Sequence, residues 1–268
     1  MSDRNFLRAT FTSVAREYDA VRPGYPEALF EDAIALSGLP PRGRCLEIGC
    51  GTGQATLPFA RRGYQLLCLD IGAEMLAIAA ENLAAYPNVR FEQAAFEDWP
   101  PETEPFDLVF SATAFHWIPP EVCYSKPAQV LRPGGALAVI YNMHPRPAEG
   151  FFVECDALYR RYDPAWREPS GRPVEDEIQA RVIEINSTGL YEPAIVRTYP
   201  WRYTCSTADY LRLINTYSGH LAMPEANRRA LDASLADLID RSYGGQVVKD
   251  YLAVLYLARK PGGPPDSP

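Results

Sequence analysis

Three glycines at alternate positions, Gly49, Gly51 and Gly53, close the run Leu46-Glu47-Ile48-Gly49-Cys50-Gly51-Thr52-Gly53, between an apolar segment and a helical one. Glycines there let backbone amides approach a ligand closely, and the helix N-terminus that follows adds a positive dipole end suited to a carboxylate or phosphate. Two ligand classes compete. The dinucleotide fingerprint G-x-G-x-x-G requires a glycine at position 54, where this chain has Gln54. Glu47, two residues ahead of the first glycine, would repel a pyrophosphate and suits an amino group instead. Asp70 ends the next apolar run, YQLLCLD. A carboxylate there can cap the following helix or accept hydrogen bonds from sugar hydroxyls at the carboxyl ends of parallel strands.

Other residue types able to do chemistry are scattered. Phe115-His116-Trp117 follow the fourth apolar run. His116 has the ordinary titration range of a general base, and its aromatic neighbours could flank a cation or pack in the core. Tyr18, Arg22 and Tyr25 fall in an N-terminal helix and a Pro-bounded turn that could close over a ligand, and Tyr210, Tyr217 and His220 mark a later helical stretch that could line a pocket. The six cysteines lack CxxC pairing, and the three histidines are far apart, so neither a metal site nor a disulfide framework is expected.

The elements that must position these residues alternate. RCLEIG, YQLLCLD, VRFEQA, FDLVFSAT and ALAVIYN read as strands, with helices in QATLPFARRG and AEMLAIAAENLAAY, and LRPGG as a loop before the fifth strand. Strands this apolar need helices on both faces, which predicts an α/β fold with a doubly wound, mostly parallel sheet. After Asn142 two helices, FFVECDALYRRYD and EDEIQARVIEIN, follow without a strand between them and form a candidate cap. A strand over AIVRTYPWRYT, helices near Thr207–Thr216 and Glu225–Arg241, and a last strand over VVKDYLAVLYLARK complete the pattern. We expect a single domain over 1–260. Its sheet core spans about 36–143 and 191–260, its cap spans 1–35, 144–190 and 205–243, and a disordered tail covers 261–268.

A net charge of −8 offers no broad positive field for a phosphate backbone or an anionic membrane. No apolar run approaches the roughly 20 residues that span a bilayer, and the start MSDRNFLRATF has no apolar signal core. These features predict a soluble, cytoplasmic protein, a monomer or homodimer, with no nucleic-acid or membrane partner.

Taken together, the residues resemble the class I S-adenosylmethionine-dependent methyltransferases, whose first motif, an apolar strand followed by ExGxGxG, is matched from Leu46 to Gly53. Asp70, EQAAFEDWP, FDLVFSATAFHW, LRPGG and AREYDAVRPGYP extend the resemblance over nearly the whole chain. It implies a Rossmann-like, seven-stranded sheet with a helical cap. S-adenosyl-L-methionine is the implied cofactor, and no metal is required. The implied cofactor-binding residues are Tyr18, Arg22, Glu47, Gly49, Cys50, Gly51, Gly53, Asp70, Ile71, Met75, Ala95, Phe96 and Ser111. Ala95 stands where the family commonly has an acidic residue for the adenine amino group, which leaves Phe96 to stack on the ring or offer its backbone N–H. Tyr25, Phe115, His116, Trp117, Tyr210, Tyr217 and His220 are the implied substrate pocket, with His116 as base. SATAFHW lacks the Asn/Asp-Pro-Pro-aromatic run of base N-methyltransferases and looks more like small-molecule enzymes that esterify a carboxylate such as trans-aconitate. The expected reaction is SN2 methylation of a carboxylate or hydroxyl on a small molecule. N-, S- or C-methylation, a nicotinamide-dependent oxidoreductase and a non-catalytic cofactor-binding module are the alternatives.

Overall fold

The computed structural model describes residues 14–163, 166–167 and 172–262. The expected tail beyond 262 and the first part of the expected N-terminal cap lie outside the described residues. The order of elements is α1 (Ala15–Val21), α2 (Glu27–Ser37), β1 (Arg44–Ile48), α3 (Thr56–Ala60), β2 (Gln65–Asp70), α4 (Ala73–Asn82), β3 (Val89–Gln93), β4 (Phe106–Ala112), α5 (Ser125–Val130), β5 (Leu131–Met143), α6 (Phe151–Tyr162), α7 (Val174–Ser187), β6 (Ile195–Ser206), α8 (Thr207–Ile214), α9 (Ser218–Ala222), α10 (Glu225–Ser242) and β7 (Gln246–Arg259).

The strands form one seven-stranded sheet in the order β3-β2-β1-β4-β5-β7-β6. β1 pairs in parallel with β2 and β4, β2 with β3 and β4 with β5, whereas β7 runs antiparallel to β5. The order reverses direction at β1, so the carboxyl ends of β1 and β4 flank the switch point where ligands bind in such sheets. The sheet is Rossmann-like, as expected. One local expectation fails: LRPGG is part of β5, not a loop ahead of it. The pairing jumps from Phe106↔Leu131 to Leu108↔Ala136, so the extra residues are absorbed as an irregularity in an extended strand.

The chain divides into two units. The sheet unit comprises Gly24–Met143, Glu175–Tyr199 and the described residues from Leu252 onward; the helical unit has its described residues within Met1–Pro23, His144–Val174 and Pro200–Tyr251. Two stretches grouped with the cap on sequence, 24–35 and 175–190, lie in the sheet unit. Leu29, Phe30 and Ala33 of α2 are buried, with Phe30 edge-on to Phe59 at 5.7 Å, and Ile185 of α7 joins the core that Leu46, Val109, Val139 and Tyr256 build. In the helical unit Phe151, Tyr210, Ile214, Leu231, Leu235 and Ile239 form a separate core, where α10 packs on α6 and α8. Ser206 caps α8, its hydroxyl accepting from the Asp209 amide. Among the described residues no helix is long and apolar enough to cross a membrane, and no cluster of three or more metal-ligating side chains occurs.

Candidate functional site

The loop after β1 is held by the neighbouring strand. The amides of Gly49 and Cys50 both donate to the Leu69 carbonyl, at 2.8 and 3.0 Å. Gly49, Gly51 and Gly53 have φ of 72°, 56° and 89°, the left-handed region that side chains rarely tolerate. A Cβ built on Gly49 would stand 2.5 Å from the Cβ of Ala114, so only glycine lets this turn pass the end of β4. Asp70 closes the loop from the tip of β2: its carboxylate accepts from the Gly51 amide at 2.9 Å and from the Gly72 amide at 2.8 Å. Half-buried, it still has lone pairs for further donors, because a carboxylate offers about four acceptor sites.

Glu47 departs from its expected place at an amino group. It lies beneath the loop at 1% exposure, accepting from the Thr56 hydroxyl at 2.5 Å and from the Cys68 thiol at 3.7 Å. Burial, only partly offset by those two bonds and reinforced by the nearby Asp70 charge, raises its carboxyl to about 8. A neutral acid results near pH 7. It ties the first turn of α3 to β1 rather than presenting a charge. Asn82 adds a second brace, donating to the Thr52 carbonyl at 3.0 Å.

Residues 45–135, which contain this loop and Asp70, match the methyltransferase-domain family. An uncharacterised methyltransferase of Mycobacterium tuberculosis is 32% identical over 139 residues, 52% of this chain and 54% of that protein. Trans-aconitate 2-methyltransferase of Variovorax paradoxus is 26% identical over 219 residues, 78% of this chain and 80% of that enzyme. A solved chain from Anaeromyxobacter dehalogenans, provisionally named a type II methyltransferase, superposes with a TM-score of 0.63 at 23% identity, covering 90% of this chain and 99% of that one. Residues 45–135 are therefore similar to a methyltransferase domain, and the fold is that of the solved methyltransferase chain. The chain spans about half the length of the first curated relatives it matches.

The loop suits the cofactor of methyltransferase domains: a turn that only glycine at 49 allows passes the end of β4, and Asp70, braced by two amides, stands beside it with a carboxylate. Around this centre the structure brings together some of the sequence-derived residues and removes others. Ile71 is half-buried and its carbonyl accepts from Gln93 at 3.1 Å; Met75 is buried on α4, and Cys50 is buried in the loop. Ala95 is half-buried, its carbonyl accepting from the Asp98 and Trp99 amides. Phe96 is 2% exposed and packs on Trp99, so its ring serves the core and is not open to stack on adenine. Ser111 is fully buried, its hydroxyl donating to the Ile48 carbonyl at 2.8 Å, which ties β4 to β1.

Past β4, Thr113 takes a φ of 54°, unusual for a β-branched residue, and its hydroxyl is 2.8 Å from that of Tyr25. A 3-10 turn follows over Phe115–Trp117. Phe115 is 2% exposed and packs on Tyr124 at 5.3 Å, the core alternative for this aromatic, whereas His116 is exposed and Trp117 half-buried, their rings 4.7 Å apart.

In the helical unit Tyr210, Tyr217 and His220 line one cavity of about 860 Å³. His220 Nε2 is 2.8 Å from the Tyr159 hydroxyl, and burial, assisted by the Arg228 charge, lowers its imidazole to about 4, so it is neutral near pH 7. The Arg22 guanidinium sits over the rings of Tyr18 and Tyr217, at 4.7 and 4.6 Å, and donates to the side chain and carbonyl of Thr216. Sequence reasoning did not find the Thr56–Glu47 brace or Lys249, a buried lysine on the same cavity. Both had a signal: Thr56 follows the motif at the start of its helix, and Lys249 occupies an inward position of an alternating strand.

Proposed function

We propose that this chain binds S-adenosylmethionine on the glycine loop and transfers its methyl group to a carboxylate or hydroxyl oxygen of a small molecule. The observation that carries the reading is the amide-braced Asp70 beside the glycine loop, within the residues that match a methyltransferase domain. Bound there, the cofactor supplies an electrophilic methyl on a sulfonium that leaves as a neutral thioether, so no metal is called for. Gly49, Cys50, Gly51 and Gly53 present main-chain groups to its amino-acid end. Asp70 accepts from the ribose hydroxyls, each bond contributing about 1.5–3 kcal/mol because the acceptor is charged. Ile71 and Ala95 flank the adenine, with Met75 supporting from within α4. Tyr18 and Arg22 belong to the helical unit, where the Arg22 guanidinium lies over the Tyr18 and Tyr217 rings.

His116, exposed after β4, takes the proton of an acceptor hydroxyl, and Trp117 and Tyr25 help exclude water. Tyr210, Tyr217 and His220 line a cavity within the helical unit that is large enough for a small organic ligand. A relative named for trans-aconitate methylation supports a carboxylate acceptor. The net charge of −8 supports the absence of a nucleic-acid partner, and we place the activity in the cytoplasm, in a monomer or homodimer.

Calorimetric titration with S-adenosylhomocysteine and, separately, with NAD tests the cofactor half. Binding of NAD with none of the homocysteine product would sink it. Methyl release in a screen of organic acids and phenols tests the rest, and a protein that binds the product yet methylates none of them would be a binding module. His116→Ala should lower turnover on the order of a hundredfold with cofactor affinity unchanged. An unaffected rate would leave His116 without a role in proton transfer.

A further inference from the structure

Lys249 is the only buried lysine or arginine among the described residues, at 8% exposure. Along the start of β7, Val247, Lys249 and Tyr251 are buried while Gln246, Val248 and Asp250 are exposed, so an ammonium stands where the alternation calls for an apolar side chain. Desolvating an ammonium is costly unless a counter-charge or a full set of acceptors compensates it. Its Nζ donates to the Tyr217 hydroxyl at 3.0 Å and lies 5.3 and 5.0 Å from the ring centroids of Tyr217 and Tyr251. That accounts for one of three donors. Among the described residues no carboxylate is paired with it: Asp156, the buried acid of the same cavity, is bonded to Arg146, and Asp250 is bonded to Arg202 at 2.7 Å.

A second cation lies close to Lys249. Arg22 lies over the same Tyr217 ring at 4.6 Å. His144, which also lines the cavity and keeps exposed surface, is disfavoured as a cation, first by desolvation of its ring and then by the charges of Lys249 and Arg22. A second, independent feature asks for an acceptor atom. Trp166 lines the cavity, and among the described residues its buried Nε1–H has no hydrogen-bond partner, nor has the buried Nδ1 of His220. The Trp166 indole stacks on Tyr159 at 4.4 Å and 21°, which offers a flat apolar surface.

We propose that this cavity binds an organic monocarboxylate bearing a flat apolar ring, with Lys249 donating to the carboxylate and the ring lying among Tyr159, Trp166 and Tyr210. Its volume of about 860 Å³ is ample for such a molecule. As a statement about the methyl acceptor this rests on the function proposed above, and it names the anchoring group, not the atom methylated. A carboxylate held by an ammonium is a weaker nucleophile, so the methylated oxygen belongs to a second group on the same molecule.

The test is calorimetric titration of the full chain with trans-cinnamate and with cinnamamide, its neutral analogue, on the wild type and on Lys249→Met. The expected result is a wild-type preference for the acid of roughly tenfold or more, the worth of one charge-assisted hydrogen bond, and loss of that preference in the variant. Equal affinity for acid and amide overturns the proposal, as does a preference that survives in Lys249→Met, or no binding of cinnamate. The wild-type comparison stands alone should the variant fail to fold. Titration of the same samples with S-adenosylhomocysteine reads the transferase reading separately: cinnamate held through Lys249 by a protein that ignores the homocysteine product would remove that reading and leave the anchor.

Discussion

Gly49, Gly51 and Gly53 shape a loop through their backbone conformation, whereas the cavity of the helical unit is lined by the side chains of Tyr159, Trp166, Tyr217, His220 and Lys249. The two kinds of site depend on sequence differently. A backbone site needs particular φ values, and few residues supply them, so it is written as spaced glycines that survive almost any change of neighbour. A side-chain site is assembled from separate elements, here α6, the chain around Trp166, α8, α9 and β7, and each contributes one ordinary-looking residue.

The largest effect that could break this contrast is at Gly49. Gly49→Ala forces a Cβ against Ala114 and holds a non-glycine residue at φ 72°, a conformation that costs about 1–2 kcal/mol before the clash is counted. Affinity for S-adenosylhomocysteine should fall roughly a hundredfold while cinnamate binding in the helical unit is unchanged. If both fall together, the two sites are not independently specified. Asp70→Ala comes next, with a loss of about tenfold or more in homocysteine-product affinity, because two loop amides lose their acceptor along with the ribose. Unchanged affinity in calorimetry would take Asp70 out of the site.

Glu47 sharpens the comparison through pH. Its folded carboxyl titrates at about 8 against an ordinary 4.5, so across that window the folded chain keeps a proton that the unfolded chain releases. Stability is fully present below about 4.5 and is lost as pH rises through 8, at up to about 1.4 kcal/mol per pH unit. Glu47→Gln should flatten the urea midpoint over this range; an unaltered slope would mean that another group carries it. The smallest effect belongs to the helical unit, where Tyr159→Phe removes the hydroxyl bonded to His220. A loss of about 1 kcal/mol in urea unfolding is expected, with binding of the homocysteine product untouched.

Legibility in the sequence follows the same division. The strands from Arg44 to Asn142 stand out because a sheet covered on both faces demands unbroken apolar runs, and the glycine motif stands out because its φ values exclude other residues. LRPGG misled because Pro-Gly-Gly usually marks a turn, yet Gly134, at φ 74°, and Gly135 bond to Lys260 and carry the irregularity within β5. Phe96, Phe115 and Ser111 sit at family positions, but position along a strand end does not reveal which way a side chain points. Their burial decides it. The assignment of 24–35 and 175–190 to a cap failed for a similar reason: helical periodicity shows that a face is buried and is silent on the partner. Lys249 was readable in principle, as a charge on the inward register of VVKDY, once the strand is known to be covered on that face.

β6 and β7 each run from one unit into the other, and the helical unit is drawn from three separate stretches of chain. Neither unit can be closed until residues 246–259 have been synthesised, since β7 supplies the antiparallel partner of β5 and also carries Val247, Lys249 and Tyr251. The emerging chain must therefore hold an unfinished sheet edge and an open aromatic core for most of its synthesis. Completion of the sheet edge and of the helical core is thus tied to the arrival of a single strand.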